Sequence, residues 1–269
     1  MGSTDRDAMG CYPVFSCRNW RGLAADFDAI GDEWVSLVVV TDPFAEMTEA
    51  ELWLPFRDLV REYKAHFVVD LARPPGEFVS AHHLRNALTA RRAVAVRTGP
   101  PTSELLETWV ALYGNLIARH QIRGFAAFSG SSFECQFRVP GLIVQWAEMD
   151  GAVVGMVLWY VSDDRAYYHL GAYSEAGYAV KCSFALFLDA IERFPATGVR
   201  WLALGAGAGA VNDGSDGLTR FKRGWATTTR MTYLCGRVFD TCRYRAACVA
   251  KGVPPDAGYF PAYRAGEFR

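Results

Sequence analysis

The order of elements in the second half of this 269-residue chain constrains its fold most strongly. Apolar and alternating segments predict three successive strands, over residues 142–148, 152–161 and 166–172. Asp150-Gly151 separates the first two strands and is typical of a two-residue hairpin turn, so these strands should be antiparallel neighbours. A strongly apolar segment then predicts a buried helix over 181–194, and a strand follows over 201–204. Grouped strands followed by a helix and a strand indicate the α+β fold class.

The first hundred residues predict a smaller set of elements. The predicted strands are 35–41, 66–71 and 93–97, and the predicted helices are 20–30, 49–64 and 82–92. Pro100-Pro101 is the best internal boundary, because prolines interrupt helices and strands and Thr102 or Ser103 can cap the helix that follows. We therefore expect a flexible N-terminus (1–11), a first half (12–100), a main domain (101–240), and a C-terminal helix and tail (241–269).

Composition and charge exclude several classes of function. Apolar residues make up 51% of the chain, which is enough for a sizeable core, and the net charge is −1. This balance argues against coating of nucleic acid or a membrane surface, so we expect neither DNA nor a membrane as a partner. No apolar run reaches the length of a membrane span, and the first residues lack the apolar segment of a signal peptide. The seven cysteines form no zinc-site spacing, so we expect no metal and reduced thiols in the cytoplasm.

The segment 216–225 (DGLTRFKRGW) combines a polar turn, a basic cluster and an aromatic residue ahead of a predicted strand over 230–238. We expect this segment to be a turn that leads into a final hairpin. The basic cluster makes Lys222 a candidate functional residue. The alternative is that Lys222 and Arg223 are ordinary charges of an edge strand, where they oppose aggregation.

The element order over residues 102–240 resembles the acyltransferase core of the GNAT superfamily. The Phe221-Lys222 pair is similar to the FK-containing segment of FemAB/FemX-type aminoacyltransferases. The resemblance implies a GNAT fold with a shortened, GNAT-like N-terminal half. It also implies that an aminoacyl-tRNA donates its aminoacyl group to a small-molecule amine, forming an amide bond without a covalent enzyme intermediate. No cofactor is implied beyond this donor.

The resemblance also implies roles for individual residues. Lys222 would stabilise the tetrahedral oxyanion, and His169 or Tyr173 would transfer protons. The residues expected to bind substrate are Phe221, Arg220, Asp216, Trp225, Arg119 and His120. The residues expected to hold the donor or its phosphates are Arg85, Arg91, Arg92 and Gly177. Plainer alternatives are a buried core position for His169, a turn position for Asp216 and a solvated helix face for the arginines.

The loop 173–178 (YSEAGY) lies where GNAT enzymes hold the pyrophosphate of coenzyme A, in a loop that resembles Q/R-x-x-G-x-G/A. Gly177 is present here, but the Arg or Gln and the second Gly are missing. Glu175 places a carboxylate near the start of the following helix, where it would repel a diphosphate. The departure favours an aminoacyl-tRNA over acetyl-CoA as donor, unless Glu175 points into solvent.

Two other functions stay open on the sequence. One is an acyl-CoA-dependent GNAT N-acetyltransferase, with acetyl-CoA as donor, and the other is a non-catalytic binding module with a GNAT fold. The glycine-rich segment 201–209 (WLALGAGAG) also resembles the first motif of Rossmann methyltransferases. We reject a methyltransferase, because too few residues follow this segment to build the βα units that the Rossmann fold needs.

Overall fold

The computed structural model describes residues 6–11, 13–207 and 216–267. The strands are β1 (Ala8–Met9), β2 (Ser36–Val40), β3 (Leu59–Asp70), β4 (Ala95–Gly99), β5 (Leu142–Met149), β6 (Ala152–Ser162), β7 (Arg165–Tyr173), β8 (Trp201–Gly205) and β9 (Thr228–Val238). The α-helices are α1 (Leu23–Ile30), α2 (Glu49–Leu52), α3 (Pro75–Phe78), α4 (Ala81–Ala90), α5 (Ser103–His120), α6 (Gly130–Phe137), α7 (Glu175–Ala179), α8 (Cys182–Arg193), α9 (Gly217–Arg223) and α10 (Thr241–Lys251). The predicted α+β class is confirmed.

The chain divides into two compact units. The first is formed by the chain up to Ala65 together with the chain from Arg230 onward, and the second is formed by His66–Thr229. The boundary expected at Pro100-Pro101 lies inside the second unit. The chain passes from the first unit to the second within β3 and returns to the first within β9. Both boundaries therefore fall inside regular strands. A boundary of this kind has no proline- or glycine-rich linker that could be recognised in a sequence.

The first unit orders its strands β1-β2-β9-β3. β2 runs antiparallel to β9, with Ser36 opposite Val238. The helix predicted over 49–64 is wrong beyond Leu52, because α2 ends there and Leu59 begins the long strand β3. β3 lies next to β9 in the sheet. The Thr232 hydroxyl of β9 also donates to the Lys64 carbonyl oxygen of β3 at 2.9 Å. Pairing with distant strands therefore overrides the helical pattern of this segment.

The second unit orders its strands β3-β8-β7-β6-β5-β4. The hairpin predicted at Asp150-Gly151 is confirmed, since both residues have positive φ angles, of 51° and 80°. The sheet lies between two helical layers. One face packs against residues of α4 and α8, such as Ala87 and Leu186, and the other packs against residues of α5 and α6, such as Trp109 and Phe133.

Helix α5 begins as the sequence predicts, because the Thr102 hydroxyl accepts a hydrogen bond from the backbone N–H of Leu105 at 3.2 Å. Helix α8 confirms the predicted buried helix, with seven of its twelve residues buried.

Among the described residues, none of the helices combines the length and the apolar character needed to cross a membrane.

Candidate active site

The site begins at a gap in the sheet of the second unit. Strands β7 and β8 run parallel and pair through only three residues, from Arg165–Trp201 to Tyr167–Ala203. Beyond this point β7 continues to Tyr173 alongside β6, while Gly205 at the end of β8 pairs with β3. Within the described part of the chain, the carboxyl ends of β7 and β8 therefore do not pair with each other. Crevices at the carboxyl ends of diverging parallel strands are common ligand sites in sheets with helices on both faces.

Lys222 spans this gap from α9. Its Nζ donates to the carbonyl oxygen of Ala206, the residue after β8, at 2.6 Å, and lies 5.4 Å from the centroid of the Tyr168 ring on β7. The residue is only 5% exposed. A buried ammonium in the gap is the strongest single charge feature of the site, since burial weakens the screening of its field by water.

The segment predicted as a turn is instead the helix α9. Asp216 caps α9, with its Oδ1 accepting from the Thr219 backbone N–H at 2.9 Å and its Oδ2 from the Thr219 hydroxyl. This capping explains Asp216 without a substrate, as the turn alternative allowed. The helix places Lys222 on its buried side and leaves Arg220 and Arg223 exposed.

The hydroxyl groups of two tyrosines on β7 meet at Gly171, in the part of β7 that does not pair with β8. A Cβ atom at Gly171 would lie 2.6 Å from the Tyr168 hydroxyl oxygen and 2.7 Å from the Tyr173 hydroxyl oxygen, so the two hydroxyls converge over this glycine. Burial, together with neighbouring groups that include a hydrogen bond to Tyr168, raises the pKa of Tyr173 well above its ordinary value. Tyr173 is therefore a neutral phenol at physiological pH and a weaker acid than a solvated tyrosine.

His169 lies away from this pair. Strict alternation along β7 predicts that His169 shares a face with Gly171, but a β-bulge interrupts the pairing of β6 and β7 between Leu158 and Trp159. His169 is the extra residue of this bulge, with no residue of β6 directly opposite it. Its ring contacts Tyr160, and its Nε2 donates to the Gln136 side-chain oxygen at 2.8 Å.

Burial lowers the pKa of His169 to about 4. The imidazole is therefore neutral and a weak base at physiological pH. These features fit the alternative of a core histidine better than the expected role in proton transfer.

Trp225 lies in the core of the second unit. It is fully buried, with a relative exposure of 0%, and its ring packs 5.0 Å from that of His83 and 6.1 Å from that of Phe221. Phe221 is partly buried and joins the same cluster through Phe184 and Phe187. Core packing therefore accounts for Trp225 without a substrate, and its expected contact with substrate stays a prediction.

The start of α7 follows directly after β7. The Gly177 backbone N–H donates to the Ser174 hydroxyl at 3.1 Å, and a Cβ at this glycine would lie 2.0 Å from the Val154 carbonyl oxygen. Close packing against β6 therefore explains Gly177 without a phosphate. Glu175 accepts from Arg119 at 2.7 Å, and the Arg119 guanidinium lies over the Tyr178 ring. An ion pair, rather than an isolated carboxylate, occupies this helix end.

The other candidate cations lie on exposed surfaces. Arg91 pairs with Glu192 at 2.5 Å. Arg85 and Arg92 are exposed on or directly after α4 and form no ion pair with the residues that the structure describes. His120 is exposed at the end of α5. Across the described ranges, no group of three or more His, Cys, Asp or Glu side chains is arranged to hold a metal ion.

Sequence reasoning missed three parts of the site. Strict alternation places Tyr168 and Gly171 on opposite faces of β7. The bulge at His169 instead brings them to the same face. The Ala206 carbonyl group and the His83 ring, which bonds to the backbone of α9, carry no sequence motif. The bulge is visible only in the pairing of β6 and β7, so no sequence pattern signals it.

The family of the chain follows from its sequence. The family model described as an acetyltransferase (GNAT) domain matches residues 80–223, which is more than half of the chain. The chain belongs to this family and is an acyltransferase of the GNAT type, as the element order predicted. Comparison with curated protein sequences gives no match.

Solved structures show the same fold at low sequence identity. The C-terminal domain of a putative lysylphosphatidylglycerol synthetase from Agrobacterium fabrum has a TM-score of 0.62 and 15% identity, covering 91% of this chain and 80% of that chain. FemX has a TM-score of 0.62 and 10% identity, covering 83% and 77%. L-PGS from Bacillus licheniformis has a TM-score of 0.51 and 17% identity, covering 71% and 65%. These likenesses concern the fold alone.

Proposed function

We propose that this protein forms an amide bond by transferring an aminoacyl group from an aminoacyl-tRNA to the amine of a small molecule. The observation that carries the proposal is the buried Lys222 ammonium in the gap between β7 and β8, next to the Tyr168–Tyr173 pair. A buried positive charge beside buried tyrosine hydroxyls can stabilise the oxyanion of acyl transfer and supply a proton.

Lys222 stabilises the negative charge of the transition state. When the amine nitrogen attacks the ester carbonyl carbon, the electrons of the C=O double bond move to oxygen and form a tetrahedral oxyanion. The hydrogen bond to the Ala206 carbonyl oxygen and the contact with the Tyr168 ring hold the ammonium in place before the reaction, so little reorganisation is needed.

The tyrosine pair supplies the proton route. As the tetrahedral intermediate collapses, the bond from carbon to the ribose oxygen breaks, and this oxygen takes the proton of a tyrosine hydroxyl. The tyrosine regains a proton from the former amine, which is positively charged in the intermediate, so protons balance. The raised pKa of Tyr173 favours its neutral form before the reaction. His169 has no part in this route, because it contacts Tyr160 and Gln136 instead.

Two observations support tRNA rather than coenzyme A as the carrier of the acyl group. At the start of α7, the Gly177 N–H is bonded to Ser174 and the Glu175–Arg119 ion pair lies beside it, so this helix end is not arranged for a pyrophosphate. The likeness in fold to FemX covers 83% of the chain and so extends beyond the second unit. The exposed guanidinium groups of Arg85 and Arg92 then serve the phosphates of the tRNA.

Replacing Tyr168 with phenylalanine is expected to lower kcat by about 10- to 100-fold, the low end of what general acid catalysis contributes. The ring under Lys222 is kept, and only the hydroxyl of the proton route is lost. Single-turnover rates with a preloaded donor measure the effect. Tyr160→Phe is the matched control on the neighbouring strand, since the Tyr160 hydroxyl donates to the Gln136 carbonyl oxygen on the opposite face. An unchanged rate for Tyr168→Phe would remove the hydroxyl from the mechanism.

The donor is tested directly with the purified protein. One reaction contains tRNAs charged with labelled amino acids, the other contains labelled acetyl-CoA, and both contain a library of small primary amines. We expect label to enter small molecules only from the charged tRNAs, and the transfer to be abolished by RNase and weakened by salt.

The other outcomes separate the competing functions. Transfer from acetyl-CoA that resists RNase would establish an acyl-CoA-dependent N-acetyltransferase. Absence of transfer from both donors, in a protein that still binds a charged tRNA or an amine, would favour a non-catalytic binding module.

A further inference from the structure

His83 connects two elements of the second unit that are far apart in sequence. It lies on α4 and is 7% exposed, and its ring packs among Phe184, Phe221 and Trp225. The His83 Nε2 donates to the backbone carbonyl oxygen of Phe221 at 2.9 Å, and its Nδ1 lies 2.8 Å from the Ser80 hydroxyl. A carbonyl oxygen can only accept, so the Nε2 atom carries the proton, and the hydroxyl of Ser80 can donate to Nδ1.

The bond to Phe221 completes the end of α9. The last carbonyl groups of a helix have no partner within the helix, and the Phe221 carbonyl group belongs to the last turn of α9. The peptide group that contains this oxygen is the one that joins Phe221 to Lys222. Fixing this oxygen therefore fixes the backbone from which the Lys222 side chain extends into the gap.

A second contact holds the same end of the helix. The Ser80 backbone N–H donates to the Gly224 carbonyl oxygen at 3.0 Å. A Cβ atom at Gly224 would lie 2.2–2.4 Å from three atoms of the His83 ring, so the imidazole is in direct contact with the backbone after α9. Burial lowers the pKa of His83, which favours the neutral ring with its proton on Nε2.

We infer that His83 is a positioning residue that holds the Lys222 ammonium in the gap between β7 and β8. The inference rests on the proposed function for its effect on catalysis, but the placement of Lys222 is a structural property that can be measured separately. Since small displacements of catalytic groups have large effects on rate, loss of the His83 bond lowers turnover without removing a group that touches the substrate.

Two substitutions of His83 differ in whether they keep an N–H donor for the Phe221 carbonyl oxygen. His83→Met fills most of the ring volume but has no donor for the Phe221 carbonyl oxygen, and His83→Gln keeps an N–H donor at a similar distance along the side chain. We expect His83→Met to lower kcat by about 10- to 100-fold at unchanged KM for the donor, and His83→Gln to restore most of the loss.

A double-mutant cycle with Lys222→Met separates positioning from general damage. If His83 acts through Lys222, then His83→Met has no further effect once Lys222 is methionine, because coupled residues are not additive. An equal loss in both backgrounds would overturn the inference. Should His83→Met fail to fold, His83→Leu also lacks the donor for the Phe221 carbonyl oxygen and should lower kcat in the same direction.

The deciding measurement is a crystal structure of His83→Met, or of His83→Leu, which also lacks the donor, if the first does not fold. We expect the hydrogen bond between the Lys222 Nζ and the Ala206 carbonyl oxygen to be lost or lengthened. An unchanged bond overturns the inference, whatever the activity. If instead this bond is lost but Lys222→Met is as active as the unaltered protein, the positioning by His83 stands and the proposed function of Lys222 fails.

Discussion

Replacing Lys222 with methionine is expected to lower kcat by about 10²- to 10³-fold, the loss that follows removal of one oxyanion-stabilising donor. Methionine keeps the length and apolar stem of the buried side chain, so the gap between β7 and β8 stays filled. The KM for the donor should change little, because the ammonium acts on charge that exists only in the transition state. Steady-state rates of amide formation with a charged tRNA measure both parameters.

Lys181 provides the matched control for this experiment. It lies in the same unit, immediately before α8, and its Nζ donates to the Asn86 side-chain oxygen at 3.1 Å, on an exposed surface. Lys181→Met should retain full activity. If Lys222→Met were equally active while the protein remained folded, Lys222 would have only a structural role, and the binding-module alternative would gain support.

Trp225→Ala is expected to lower the free energy of unfolding by about 3–5 kcal/mol, the range found when a large buried aromatic side chain is truncated. Trp225 is completely buried and packs against His83, Phe184 and Phe187, so its removal leaves a cavity in the main core of the second unit. Urea denaturation followed by circular dichroism measures the change, and the slope of the transition should stay the same.

Two further variants show whether Trp225 has any role beyond packing. Trp53 is 46% exposed, and Trp53→Ala should change the unfolding free energy by no more than about 0.5 kcal/mol. Trp225→Phe keeps an aromatic ring in the core and should retain activity once its smaller loss of stability is allowed for. Loss of activity in a stable Trp225→Phe protein would return this residue to the substrate site.

Several features could be predicted from the sequence because their causes are local. The Asp150-Gly151 hairpin depends on two adjacent residues that tolerate positive φ. The start of α5 depends on the Thr102 hydroxyl, which caps it. Helix α8 depends on its own apolar composition. The same local features set the element order that identified the GNAT family. Lys222 was also predicted as a candidate, from the resemblance of the Phe221-Lys222 pair to a known family.

Other features depend on contacts between distant segments. The sequence over 59–64 has a helical pattern, but sheet pairing makes it part of β3. The face on which His169 lies depends on a bulge that exists only in the pairing of β6 with β7. Helix α9 lies where the sequence predicted a turn.

The sequence by itself determined the family, the α+β class, the central hairpin and the identity of the candidate lysine, because each follows from neighbouring residues. Only the tertiary structure decided which side chains meet that lysine. Tyr168 comes from one strand, the Ala206 carbonyl group follows another, and His83 lies on a helix 138 residues before its partner Phe221. These contacts form when the elements pack, and their energies depend on distances and burial that no local pattern encodes.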